Sequence, residues 1–134
     1  MLRKSILVIS DQHAPYHHID TLDFLSAIKE KYKPDCVVNI GDEMDWHSIS
    51  FHDSHPGLYS PSHELVVAKR FFKDLESLFP KQYVMDSNHG SLVFRKATRH
   101  GMPHEIFKSY NHMLGVGKGW SWHEDLVIKA SNGQ

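Results

Sequence analysis

Short apolar runs alternate with longer amphipathic stretches along the chain. Ser5 to Ser10 is almost continuously aliphatic, the pattern of a strand covered on both faces. Asp35 to Ile40 and Gln82 to Met85 repeat that pattern. Between the first two runs, Leu22, Leu25, Ile28 and Tyr32 recur near the helical period. Asp20 is placed to cap that helix, which runs to about Lys33, and Pro34 to stop it. Strand, helix and strand at this spacing predict a right-handed βαβ unit with parallel strands.

The second half of the pattern is more broken. Asp42 to Pro61 reads as loop, with Pro56, Gly57 and Pro61 as breakers and one helical turn near His47 to Phe51. Ser62 is the expected N-cap of a helix to Phe79, whose apolar face carries Leu65, Ala68, Phe72, Leu75 and Phe79. Ser91 to His100 and His104 to Leu114 read as short helices separated by Gly101 and Pro103. Trp120 to Glu124 and Leu126 to Ala130 read as short strands, the second followed by Asn132-Gly133, a hairpin signal. A turn at that position predicts one domain over residues 1–134 that is cut short at its C-terminus.

Composition adds bounds. The 134 residues suit one domain, 40% of them hydrophobic and 23% charged, as in a globular protein. The formal net charge of −1 provides no global field toward nucleic acid or membrane, although Lys29 to Lys33 and Arg95 to His100 are local basic patches. The single cysteine, Cys36, sits in a strand and reads as a core residue. No stretch has the length of a signal or a membrane span, so a cytoplasmic protein is expected.

Histidine is the unusual count, at 12. His13 follows the first strand together with Asp11; Gly41-Asp42-Glu43-Met44-Asp45 follows the second; Ser87-Asn88-His89-Gly90 follows the third. Taken singly, each is an ordinary turn. Together, at the carboxyl ends of three parallel strands, they should converge on one edge, where ligands bind in such sheets.

These three motifs resemble those of the calcineurin-like metallophosphoesterases: Asp-x-His, then Gly-Asp-x-x-Asp, then Gly-Asn-His followed by an acidic residue. The text around Asp11 and Asp42 is most similar to small phage-encoded phosphoesterases. The resemblance implies the N-terminal part of an α/β/β/α sandwich, an incomplete α/β fold with a mostly parallel sheet and flanking helices. It implies that Asp11 and His13 bind a first divalent metal ion, that Asp42 bridges two, and that Asn88 binds the second through its side-chain oxygen. His89 would meet the phosphate and assist the leaving group as the catalytic residue, and Asp45 would orient the loop or a ligand. The resemblance implies manganese ahead of iron or zinc, while the mixed oxygen and nitrogen donors suit all three. Two such cations about 3.5–4 Å apart clamp phosphoryl oxygens and generate hydroxide at neutral pH.

Three departures qualify this. Gly90 stands where the family has an acidic residue, and Ser87 where it has glycine. The family's two later histidine motifs lie beyond the end of the chain. The second site therefore keeps only Asp42 and Asn88, with His17, His18, His47, His52 and His123 as local substitutes. The implied activity is metal-dependent hydrolysis of phosphate esters, by a phosphodiesterase, phosphatase or nuclease-like enzyme. Its substrate would be a phosphate ester, a nucleotide or nucleic acid among them, with no membrane partner, in the host cytoplasm if phage-encoded. The alternative is a truncated or split non-catalytic chain that binds metal weakly, or pairs with a second copy or a complementing C-terminal half.

Overall fold

The computed structural model of the chain describes residues 5–129. Four strands, β1 (Ile6–Ile9), β2 (Cys36–Asn39), β3 (Gln82–Met85) and β4 (Trp120–His123), form one all-parallel sheet in the order β1-β2-β3-β4. The helices are α1 (Thr21–Tyr32), α2 (Pro61–Leu78), α3 (Leu92–Arg99) and α4 (Tyr110–Leu114), with 3₁₀ turns at His47–Ile49 and His104–Ile106. The α/β fold with a parallel sheet and flanking helices is as the sequence predicts.

Parallel register places Leu7 beside Val37, Ile9 beside Asn39, and Val84 beside Trp122. Ile9, Val37, Val84 and Trp120 enter one buried cluster with Leu25, Ala68, Phe71, Phe72 and Leu75. Successive right-handed crossovers in one direction put their helices on the same side of a sheet, and α2 packs against both α1 and α4. Phe72, fully buried, contributes roughly 2–3 kcal/mol by leaving water. Trp120 is 1% exposed, and its indole Nε1 donates to the Phe79 carbonyl at 2.8 Å. Cys36 is likewise buried, as expected of a core residue, and so is Phe94.

The structure corrects several expectations. β1 is not covered on both faces: Ile6 is 39% and Val8 55% exposed, because the core cluster takes only the Leu7 and Ile9 side. The N-cap of α2 is Ser60, with Pro61 in the first turn, rather than Ser62; proline's fixed φ and missing N–H suit a first helical position. The expected helix from His104 to Leu114 splits, since Phe107 is extended and Ser109 caps α4 by accepting from the His112 N–H. Residues 126–129 form no strand, and the Asn132-Gly133 turn lies outside the described residues. Among the described residues, no helix is long and apolar enough to cross a membrane.

Candidate metal centre

Backbone pairing continues past the strand ends and holds the first two motifs together. The Asp11 N–H donates to the Gly41 carbonyl at 3.1 Å, His13 to Asp42 at 2.9 Å, and Ala14 to Glu43 at 2.9 Å. Beneath them the Asn39 amide donates to Gln12 Oε1 at 2.6 Å, and Asn39 Oδ1 accepts from the Gly41 N–H. Both side chains are buried, so this amide pair fixes the separation of the two loops without needing water.

Ser87 brings in the third motif. Its Oγ accepts from the Asp42 N–H at 2.9 Å and from the Gly90 N–H at 3.0 Å. Gly41, at φ +107°, is required by the same contact: a Cβ there would stand 2.5 Å from the Ser87 Cβ. The departure at 87 thus becomes a hydroxyl that ties two loops. Gly90 is similarly crowded, since a Cβ would lie 2.9 Å from Ser87 Oγ and 3.0 Å from Glu43 Oε1. The Glu43 carboxylate therefore fills the space that a side chain at 90 would take.

These loops carry Asp11, His13 and Asp42, three of the four expected metal ligands, to one place. Ligand atoms of Asp11, His13 and Asp42 lie within 4.8 Å of one another, as do those of His13, Asp45 and His89. His13 belongs to both groups. Its Nδ1 donates to Asp45 Oδ1 at 2.8 Å, and its Nε2 lies 3.7 Å from Asp11 Oδ1. A carboxylate on one imidazole nitrogen fixes the tautomer and frees the other nitrogen for a cation. Asp42 Oδ1 accepts from the His89 N–H at 3.2 Å. His89 Nδ1 lies 2.5 Å from the Asp45 carbonyl oxygen, which can only accept, so the Nδ1–H tautomer is held and Nε2 is left for a ligand. The two rings meet edge-on, with centroids 4.6 Å apart. Asn88 is exposed on the same loop, its backbone carbonyl accepting from Arg95 Nη1 at 2.8 Å.

Asp11, His13 and Asp42 all have left-handed backbone, at φ 53°, 49° and 53°. That region costs a non-glycine residue on the order of 1 kcal/mol or more, and such residues gather where function holds them. Side-chain packing does not account for the conformation of Asp11, whose side chain is 65% exposed.

The local histidines offered as substitutes do not join. Among the described residues, both candidate groupings of histidine and acidic side chains draw only on Asp11, His13, Asp42, Asp45 and His89. His17 stacks on Phe71 with centroids 3.8 Å apart, and burial lowers its pKa. His47 Nε2 accepts from the His55 N–H, and His123 pairs with Ser121 Oγ. His18 lies beside Asp20. His52 shares a cavity wall with Asn88 and His89.

Sequence reasoning passed over two buried acids. Glu43 is 1% exposed; burial lifts its carboxyl to about 7, while the Trp122 indole donating to Oε1 at 3.2 Å opposes the rise. Glu64, fully buried on α2, accepts from the His47 N–H at 3.0 Å, the Ser48 N–H at 3.1 Å and the Ser48 hydroxyl. A glutamate in the first turn of a helix gives no sequence signal that its carboxylate will organise a loop.

No family model and no curated protein matches the chain. One solved crystal structure aligns with 81% of this chain at 15% identity and a TM-score of 0.44. The chain spans about half of that structure, 49% of its length.

Proposed function

We propose that the chain is a metal-dependent phosphoesterase of the calcineurin-like type, hydrolysing phosphate esters at the centre built by Asp11, His13 and Asp42. The observation that carries this is the convergence of those three side chains within 4.8 Å, each on strained left-handed backbone at a strand end. Two carboxylates and one imidazole are a donor set for a divalent first-row cation such as manganese, iron or zinc. Bound there, the cation would polarise phosphoryl oxygen and lower the pKa of a water nucleophile. A second cation would have Asp42 and Asn88 from the described residues, a thinner set that predicts weaker binding.

The chain's own groups divide the remaining work. Asp45 holds His13 through its carboxylate and His89 through its carbonyl. His89, whose Nδ1–H is held by the Asp45 carbonyl, takes a second proton from solvent at Nε2; that N–H would donate to a phosphate oxygen and pass its proton to the departing alkoxide, returning the ring to its neutral form. The reading is supported by the match of Asp11-Gln12-His13 and Gly41 to Asp45 to the family pattern, and by Asn88-His89 in the third position.

Manganese-dependent hydrolysis of an aryl phosphodiester tests it. His89→Ala should reduce kcat at least a hundredfold, the usual scale for losing a proton-transfer group, and Asp42→Ala should reduce it at least as much by removing a carboxylate from the cation site. Full activity in both variants overturns the assignment.

The exposed Ile6 and Val8 favour a second reading, in which the chain docks a partner and does not turn over substrate. Sedimentation over a range of concentrations separates the two: a monomer with turnover supports the enzyme, and an inactive self-associating chain supports the docking protein.

A further inference from the structure

Beside His89 the surface changes sign. A cavity of about 100 Å³ lies between the Ser50–His52 turn and the start of α3, with Phe51, His52, Asn88, His89 and Arg95 in its wall. The Phe51 ring, 39% exposed, is approached by three cations: Arg99 Cζ at 4.1 Å from the ring centroid, Lys96 Nζ at 5.3 Å and Arg95 Cζ at 5.6 Å. Among the described residues, none of the three is paired with a carboxylate. Three uncompensated charges gathered on one ring repel each other, and in a chain of net charge −1 nothing global requires them there.

The turn carrying Phe51 is held from both ends. Glu64 receives the His47 and Ser48 N–H groups at its start, and Lys96 donates to the Ile49 and Ser50 carbonyls at 2.7 and 2.9 Å. Arg95 is anchored on the Asn88 carbonyl, which leaves its other guanidinium donors available. The Arg99 guanidinium makes no side-chain hydrogen bond among the described residues and lies against the ring. An exposed aromatic ring with one guanidinium carbon 4.1 Å and a second 5.6 Å from its centroid combines the two elements that hold single-stranded nucleic acid: a ring to meet a base and cations for phosphate.

We propose that Phe51, Arg95 and Arg99 form the subsite for the nucleotide next to the scissile phosphate, and that the substrate is single-stranded nucleic acid. This rests on the phosphoesterase reading for the position of that phosphate, at His89. A phosphopeptide places all of its phosphate charge at one point and has no use for a second anion site with a ring beside it. A polynucleotide supplies both an adjoining phosphate and a base.

The test is anisotropy of a labelled oligothymidylate with the full chain in chelator, so that binding is read without hydrolysis. Arg95→Ala with Arg99→Ala should raise Kd about tenfold, and should flatten the slope of log K against log salt by about 1.4, two phosphate contacts on single strands. Arg99→Lys should keep that slope yet lose affinity, since it keeps the charge and loses the planar group. Phe51→Ala should raise Kd at least fivefold with the salt slope intact. Unchanged Kd and slope in these variants overturns the proposal, as does a phosphoserine peptide that binds as tightly and weakens as much. Binding that follows these expectations in a chain with no phosphodiesterase turnover would sink the enzyme reading and leave the strand-binding site standing.

Discussion

The Nδ1 of His13 lies 2.8 Å from Oδ1 of Asp45, a residue 32 positions later that is only 16% exposed at its side chain. Asp45 is therefore built into the centre as the partner that aims the His13 ring. Its side chain bonds His13 and lies 3.8 Å from His89 Nδ1, while its backbone carbonyl makes the shorter contact to His89, so mutation of the side chain falls mainly on His13. Asp45→Ala should weaken manganese binding 10- to 100-fold, as losses of such partners do. His89 keeps its contact, because the carbonyl survives the substitution. Titration calorimetry with manganese checks this, and an unchanged affinity would remove Asp45 from the centre.

Asp11 shows a conflict between stability and function. Its left-handed backbone is unfavourable for a side chain, and its exposed carboxylate has little packing to lose. Asp11→Gly removes the strain but frees the unfolded chain, so the net gain is about 0.5–1 kcal/mol. The metal-free variant should thus have a higher urea midpoint than the parent and bind manganese at least tenfold more weakly. A lower midpoint would show that Asp11 is held by contacts rather than against strain.

Crowding at Gly90 predicts a coupled pair. Gly90→Ala forces its new methyl against Ser87 Oγ and Glu43 Oε1 and should cost about 1–3 kcal/mol. Glu43→Ala empties part of that space. A double-mutant cycle by urea denaturation should therefore give a favourable coupling of roughly 0.5–2 kcal/mol. Strict additivity would mean that the carboxylate moves aside freely.

Acid sensitivity should arise in part from His17. Burial against Phe71 lowers its pKa from the ordinary 6.5, and its buried Nδ1 has no partner. The folded state therefore favours the neutral ring. This contribution is complete above pH 6.5 and is lost as pH falls through 6.5 toward the lower folded value. His17→Phe keeps the stacking surface and cannot be protonated, so its urea midpoint should fall less than the parent's over that range. Parallel curves for the two proteins would assign the acid loss to other groups.

Much of this was legible in the chain itself. Apolar runs at Ile6, Cys36 and Gln82, each followed by polar residues, fix three parallel strands with loops at one edge, because alternating strand and helix lengths leave few other ways to bury both. The same spacing fixes Asp11, His13, Asp42, Asn88 and His89 on those loops. Local pattern carries such information because backbone period and side-chain burial are coupled over a few residues. Tertiary structure alone decided the rest. That Ser87 ties Asp42 to Gly90, that Glu43 fills the space beside Gly90, that Glu64 holds the turn of Phe51, and that three cations gather on that ring depend on distances between segments 16 to 48 positions apart. A hydrogen bond or a steric contact across such a gap has no local period, so it becomes visible only when the sheet has set the loops side by side.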